Sequence, residues 1–166
     1  MQAIKNQSGR LYFIDAPGGT GKTFLISIML ATIRSQNNIV LTITSSGIAA
    51  TLLDGGRTAH SGMKLSLYLQ TRMGKVLQTC KVILWDECTM AHKEALEALD
   101  RTLQDLRGNG QPFDGVLIIL SGDFRKTLPV VPRSTPADEL NSCLKSSVLW
   151  RSVKKFTLKT NMRVQL

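Results

Sequence analysis

Residues Ala16 to Thr23 read Ala-Pro-Gly-Gly-Thr-Gly-Lys-Thr, between the apolar run Leu11, Tyr12, Phe13, Ile14 and the helical-looking stretch Phe24 to Arg34. A strand, a glycine-rich turn and a helix in that order narrow the fold further than any other part of the chain. Closely spaced glycines let successive backbone N–H groups turn inward toward an anion, and the start of the helix adds the positive end of its dipole. Pro17, Gly18, Gly19, Thr20 and Gly21 form the expected phosphate cradle. Lys22 is placed to reach the β and γ phosphates of a nucleotide, and the Thr23 hydroxyl to ligate Mg²⁺. The usual pattern opens with glycine, and Ala16 stands there instead. A small side chain is accommodated as long as φ stays negative.

The rest of the chain alternates strand and helix patterns. Short apolar runs rich in β-branched residues mark strands at Leu11 to Asp15, Ile39 to Thr44, Lys81 to Asp86, Val116 to Leu120 and Lys155 to Leu158, each expected to be buried on both faces. Between them, Ala91 to Leu106 is the clearest helix. Ala95, Leu96, Leu99, Leu103 and Leu106 recur at helical spacing, Glu97 and Arg101 form an expected i,i+4 pair, and Arg107-Gly108-Asn109-Gly110 is a stop signal. This alternation predicts an α/β fold, a parallel sheet with helices on both faces, whose ligands collect at the carboxyl ends of the strands. With 166 residues and 43% hydrophobic composition, one core is expected.

The remaining motifs fall at that same edge. Asp86 and Glu87 follow an apolar strand, and two such acids suit a nucleotide hydrolase. The first would hold Mg²⁺ and the second orient or deprotonate the attacking water. Ser121 to Pro129 forms a second edge loop whose acid, aromatic and two cations, Asp123, Phe124, Arg125 and Lys126, could sense a γ phosphate. The phosphate loop and acidic pair alone would equally suit a P-loop kinase or a transport ATPase.

Charge points to a polyanionic partner. The chain carries a net +9, with residues 1–82 and 145–166 basic and the segment between them acidic. Cys80, Cys88 and Cys143 lack metal-ligand spacing and are odd in number, which argues against a disulfide framework or zinc site and fits a reducing, intracellular compartment. Cys88 reads as a small, partly buried filler. No segment approaches the roughly 20 apolar residues of a membrane span, and Met1 to Arg10 is too short and polar for a signal peptide.

Seven stretches together resemble a known family. Leu11 to Leu25, Ser45-Ser46-Gly47-Ile48-Ala49-Ala50, Gly55-Gly56-Arg57-Thr58-Ala59-His60-Ser61, Asp86-Glu87-Cys88-Thr89-Met90, Gly122-Asp123-Phe124-Arg125, Leu128-Pro129-Val130-Val131 and Thr160-Asn161-Met162-Arg163 are similar, in order, to the helicase motifs of the petite-integration-frequency DNA helicases of superfamily one. The stretches resemble in particular the versions carried by Helitron transposons. The resemblance implies a RecA-like P-loop domain with the phosphate-loop strand beside the Val116 to Leu120 strand. It further implies ATP and Mg²⁺ as cofactors, 5′→3′ movement on single-stranded DNA, and a monomeric, nuclear protein of DNA repair, recombination and telomere maintenance. Residues 1–159 would form the first motor domain, and residues 160–166 would begin a second RecA-like domain that the given chain does not contain.

By the same resemblance, Lys22, Glu87 and Arg163 are catalytic, Arg163 reaching the γ phosphate from the start of the second domain. Thr23 and Asp86 are the Mg²⁺ ligands, and Lys126 joins the nucleotide-binding residues. Ser45, Ser46, Arg57, Thr58 and His60 fall in segments that touch DNA, where hydroxyls and backbone N–H groups grip phosphates without reading sequence. Met90 and Met162 read as core. The Gly122 to Val131 and Thr160 to Arg163 segments favour a helicase over a kinase or transport ATPase. A nucleotide- and nucleic-acid-binding remnant without motor activity is the alternative.

This chain departs from the family where Lys126 replaces a glutamine. A neutral donor and acceptor that positions water gives way to a flexible cation with no acceptor, an exchange expected to affect hydrolysis more than binding. The stretch between Ser61 and Lys81 is shorter than the family's strand-separating region. The family's adenine-recognising glutamine motif is not found ahead of the first strand.

Overall fold

The computed structural model describes residues 11–53, 55–58, 72–108, 110–126, 129–130, 132–133 and 135–162. Six strands, β1 (Leu11–Asp15), β2 (Val40–Thr44), β3 (Arg57–Thr58), β4 (Val82–Asp86), β5 (Leu117–Gly122) and β6 (Lys154–Thr157), form one sheet in the order β3-β2-β4-β5-β1-β6. Every neighbouring pair is parallel. Among the described residues, five α-helices connect them: α1 (Lys22–Ser35), α2 (Gly47–Leu52), α3 (Arg72–Thr79), α4 (Lys93–Arg107) and α5 (Pro136–Ser142).

The alternation of side chains along the central strands divides the interior into two layers. Phe13, Ile83, Trp85, Ile118 and Leu120 face Leu96, Leu99 and Leu103 of α4, together with Leu77 of α3. Ile14, Val82, Leu84, Leu117 and Ile119 face Ile26, Leu30 and Ile33 of α1. Each central strand therefore reads as unbroken apolar sequence because both of its faces are covered. β6 is different: paired only with β1, it is exposed along its length, so the expectation of burial on both faces fails for this edge strand. Phe156 covers part of the edge by stacking on Tyr12 at a centroid distance of 5.7 Å.

Local chemistry sets the ends of the elements. α4 starts where His92 Nδ1 accepts from the Glu94 N–H at 3.2 Å and stops at Gly108, whose φ of 76° gives the left-handed cap that glycine adopts without strain. Glu97 does not pair with Arg101. It lies within reach of the segment before β6 and accepts from Ser147 Oγ at 2.8 Å, a tertiary partner that displaces the local one. Arg107 ties α4 to the end of α3, donating to the carbonyls of Leu77 and Cys80 at 2.6 Å each. All three cysteines are free and buried, Cys88 completely rather than partly. Burial pushes the Cys80 thiol up to about 11 despite the neighbouring Arg107.

Candidate nucleotide site and nucleic-acid edge

The phosphate loop joins β1 to α1 at the carboxyl edge. Gly19 and Gly21 hold φ values of 86° and 75°, a conformation that L side chains rarely enter, so the curl of the loop depends on glycine at both positions. Thr20 Oγ1 closes the curl by donating to the Pro17 carbonyl at 2.7 Å. The loop is fixed at its start by the Ala16 N–H donating to the Gly122 carbonyl at 3.1 Å, which binds it to the end of β5. Gly21 is the α1 N-cap and offers no side chain to the helix N–H groups, so these remain directed at the loop's concavity. A cavity of about 470 Å³ opens there, lined by the loop together with Thr23, Glu87, Asp123, Lys126 and Met162.

β4 delivers the acids to the other side of this cavity. Lys22 Nζ donates to Asp86 Oδ1 at 2.8 Å and to Glu87 Oε1, joining residues 64 and 65 positions apart in the chain. Burial disfavours the Lys22 charge, but Asp86 beside it and the hydrogen bonds to both acids outweigh that, and its pKa lies above the ordinary 10.5. Asp86 is 5% exposed and accepts a second hydrogen bond, from Ser121 Oγ on β5, at 2.6 Å. Glu87 has a φ of 50°, uncommon for a residue with a Cβ, which turns its side chain back over the loop. Asp86 and the Thr23 hydroxyl supply the oxygen donors that suit a hard divalent cation, and the glycine cradle with its inward N–H groups suits a polyphosphate.

The β5 edge loop separates its two cations. Arg125 Nε donates to Asp123 Oδ1 at 2.8 Å, and Arg125 also faces Asp15. Burial pushes the Asp123 carboxyl up, yet the hydrogen bonds from Arg125 hold it below the usual range. Lys126 instead turns to the phosphate loop, its Nζ 2.9 Å from the position a Cβ on Gly18 would take. The loop is anchored by Phe124, which packs against Phe13 and Trp150 at centroid distances of 5.1 and 5.4 Å and beneath the Lys145 ammonium.

The residues expected to touch DNA stand on the same edge, beyond β4. Ser45 and Ser46 follow β2, while Arg57 and Thr58 are β3 itself, paired with Ile43 and Thr44. Ser45 Oγ accepts from the indole of Trp85 at 3.0 Å and keeps its own proton to donate. Ser46 caps α2 by accepting from the Ala49 N–H at 3.0 Å. The structure thus gathers the phosphate loop, Lys22, Thr23, Glu87 and Lys126 around one cavity, with Asp86 bonded to Lys22 beside it, and Ser45, Ser46, Arg57 and Thr58 at a second place on the edge. His60 and Arg163 lie outside the described residues. Met90 and Met162 are not core: they are 41% and 55% exposed. Met90 ends the turn that follows Glu87, and Met162 sits over the phosphate loop, its N–H donating to the Gly19 carbonyl at 2.8 Å, so the apolar character of neither reports burial.

A family model described as PIF1-like helicase matches residues 1–166. The chain belongs to the PIF1-like helicase family. It is 30% identical over 139 residues to the ATP-dependent DNA helicase Pif1 of Psychrobacter sp. (strain PRwf-1), covering 76% of this chain and 21% of that protein. It is 27% identical over 165 residues to the ATP-dependent DNA helicase RRM3 of Saccharomyces cerevisiae, covering 90% of this chain and 22% of that one. The PIF1-like chain thus spans about a fifth of the length of these curated relatives. Among solved structures, Pif1 helicase from Candida albicans superposes with a TM-score of 0.75 at 25% identity, covering 98% of this chain and 39% of that one. Pif1 from Bacteroides in complex with ADP-AlF3 and single-stranded DNA gives 0.78 at 20% identity, over 98% of this chain and 41% of that one. The RecA-like fold, with β1 beside β5, is the one the resemblance implied.

Three features of this PIF1-like site escaped the sequence reading. Ser121 reads as the start of the second edge loop, whereas it lies within β5, and only the register of β5 against β4 brings its hydroxyl to Asp86. The Trp85 indole links the acidic strand to Ser45, a pairing across 40 positions. Gly122 has no positive φ, yet a Cβ there would come within 2.8 Å of Thr89 Cγ2. A glycine that ends an apolar strand was the available signal of that close approach.

Proposed function

We propose that this chain is the first RecA-like motor domain of an ATP-dependent DNA helicase that moves 5′→3′ on single-stranded DNA. Residues 1–159 form that domain, and residues 160–166 lead into a second one. The observation that supports the reading is the meeting of Lys22 with Asp86 and Glu87 beside the glycine cradle, whose cavity Lys22 and Glu87 line. Thr23 and Asp86 would hold Mg²⁺, whose charge would offset that developing on the phosphates. Within the chain itself, the cradle N–H groups and Lys22 bind and orient the polyphosphate, and Glu87 takes the proton of the attacking water. Arg163 serves as the cation that completes the site from the second domain.

Ser45, Ser46, Arg57 and Thr58 supply the DNA contact, on the part of the edge that opening and closing against a second domain would move, and His60 joins them in that role. The chain acts as a monomer inside the nucleus, in DNA repair, recombination or telomere maintenance, and derives from a Helitron-type helicase. The replacement of the family glutamine by Lys126 favours one rival, a nucleotide- and DNA-binding remnant without turnover. Steady-state phosphate release, with and without single-stranded DNA, separates the two. The motor reading expects DNA-stimulated release from the whole protein that Glu87→Gln abolishes, and little from the 166-residue chain. Nucleotide binding without DNA-stimulated release by the whole protein would establish the remnant.

A further inference from the structure

The nucleotide cavity contains two lysines in different circumstances. The Lys22 ammonium is shared between two carboxyl groups, so much of its charge is already answered inside the protein. The Lys126 ammonium has no ion pair or hydrogen bond among the described residues, and it feels Asp123 only at longer range. Its position is nevertheless defined. The N–H of Lys126 donates to the Asp123 carbonyl at 3.1 Å, the turn stands on the aromatic anchor at Phe124, and Nζ and Cε lie 2.9 and 3.4 Å from the point a Cβ on Gly18 would occupy.

Gly18 is not among the residues with positive φ, so its backbone does not require glycine. What the missing Cβ provides is room for the Lys126 side chain against the wall of the loop. A glutamine at position 126 is shorter by one heavy atom in reach and carries no charge. The substitution therefore places an uncommitted cation where the family residue offers a neutral amide. That location points to binding rather than to water positioning.

We propose that Lys126 makes this site select nucleoside triphosphate over diphosphate, its ammonium lying across Gly18 to meet the terminal phosphate. The proposal rests on the cavity being a nucleotide site. The end of a triphosphate carries charge that a diphosphate lacks, and a free ammonium on the cavity wall favours the longer ligand selectively. Lys22, bound to Asp86 and Glu87, contributes to both.

The test is equilibrium titration of the chain with a fluorescent, non-hydrolysable ATP analogue and with the matching ADP, each with Mg²⁺ at fixed ionic strength. Lys126→Gln and Lys126→Met are expected to weaken the triphosphate tenfold or more and the diphosphate less than threefold, while Lys126→Arg keeps the wild-type ratio. Lys126 is exposed, so the thermal midpoints of these variants should match the wild type. Equal weakening of both ligands, or of neither, overturns the assignment of Lys126 and leaves the nucleotide site standing. Binding of neither nucleotide by the wild-type chain overturns the nucleotide reading, and the Lys126 assignment with it.

Discussion

Replacing Lys22 by alanine should destabilise the ligand-free protein as well as abolish nucleotide binding, and the first effect can be estimated from the contacts. The Lys22 side chain is 13% exposed and lies between the carboxyl groups of Asp86 and Glu87, whose side chains are 7% and 30% exposed. Breaking a fully buried ion pair by deleting one partner costs about 3–5 kcal/mol. Here water reaches Glu87, and Ser121 still donates to Asp86, so both acids lose less than a sealed pair would. We expect about 2 kcal/mol after that discount for screening. For a domain of this size that corresponds to a fall in Tm of about 4–8 °C, measurable by circular dichroism without nucleotide. The pH dependence has a defined sign. Because the Lys22 pKa lies above its ordinary 10.5, its contribution is complete below that pH and is lost as pH rises through the folded-state value. The gap between wild type and Lys22→Ala should therefore hold through neutral and mildly alkaline pH and close above 10.5. An unchanged or higher Tm for the variant at neutral pH would show that the acids do not offset the burial of the lysine.

Gly122→Ala should cost about 1–3 kcal/mol by overpacking, since its Cβ would lie 2.8 Å from Thr89 Cγ2 and 3.1 Å from Thr89 Oγ1. Thr89 Oγ1 is buried without a hydrogen-bond partner among the described residues, so Thr89→Ala should be tolerated and should restore most of that loss, as urea unfolding of the double variant would show; failure to restore it would place the clash elsewhere. For single-stranded DNA, Arg57→Ala should weaken binding and reduce the salt slope by about one, as read by fluorescence anisotropy across a salt series. Lys154→Ala/Lys155→Ala should matter less, because Lys155 is already paired with Asp15 at 2.7 Å; weakening by the lysine variant alone would move the DNA path to the β6 side.

What the sequence reveals, and what it conceals, divides along a physical line. The phosphate loop, the β4 acids and the stop at Gly108 are legible because each is a local requirement: a positive φ, an acid at a strand end, a left-handed cap. The central strands are legible because burial on both faces makes them continuously apolar, and that reasoning misleads at β6, where the sheet ends. β3, only two residues long and partly exposed, carries too little pattern to be seen, and its existence depends on β2 beside it. The partners that set electrostatics are concealed for a related reason. Ser121 with Asp86, Trp85 with Ser45, and Glu97 with Ser147 are joined by register and packing over 35 to 50 positions, a distance no local pattern spans. Lys126 combines both kinds of information. Its departure from the residue the resemblance implies is visible in the sequence, but only the fold, by laying its side chain where a Cβ on Gly18 would stand, carries the proposal of the ligand its charge would meet.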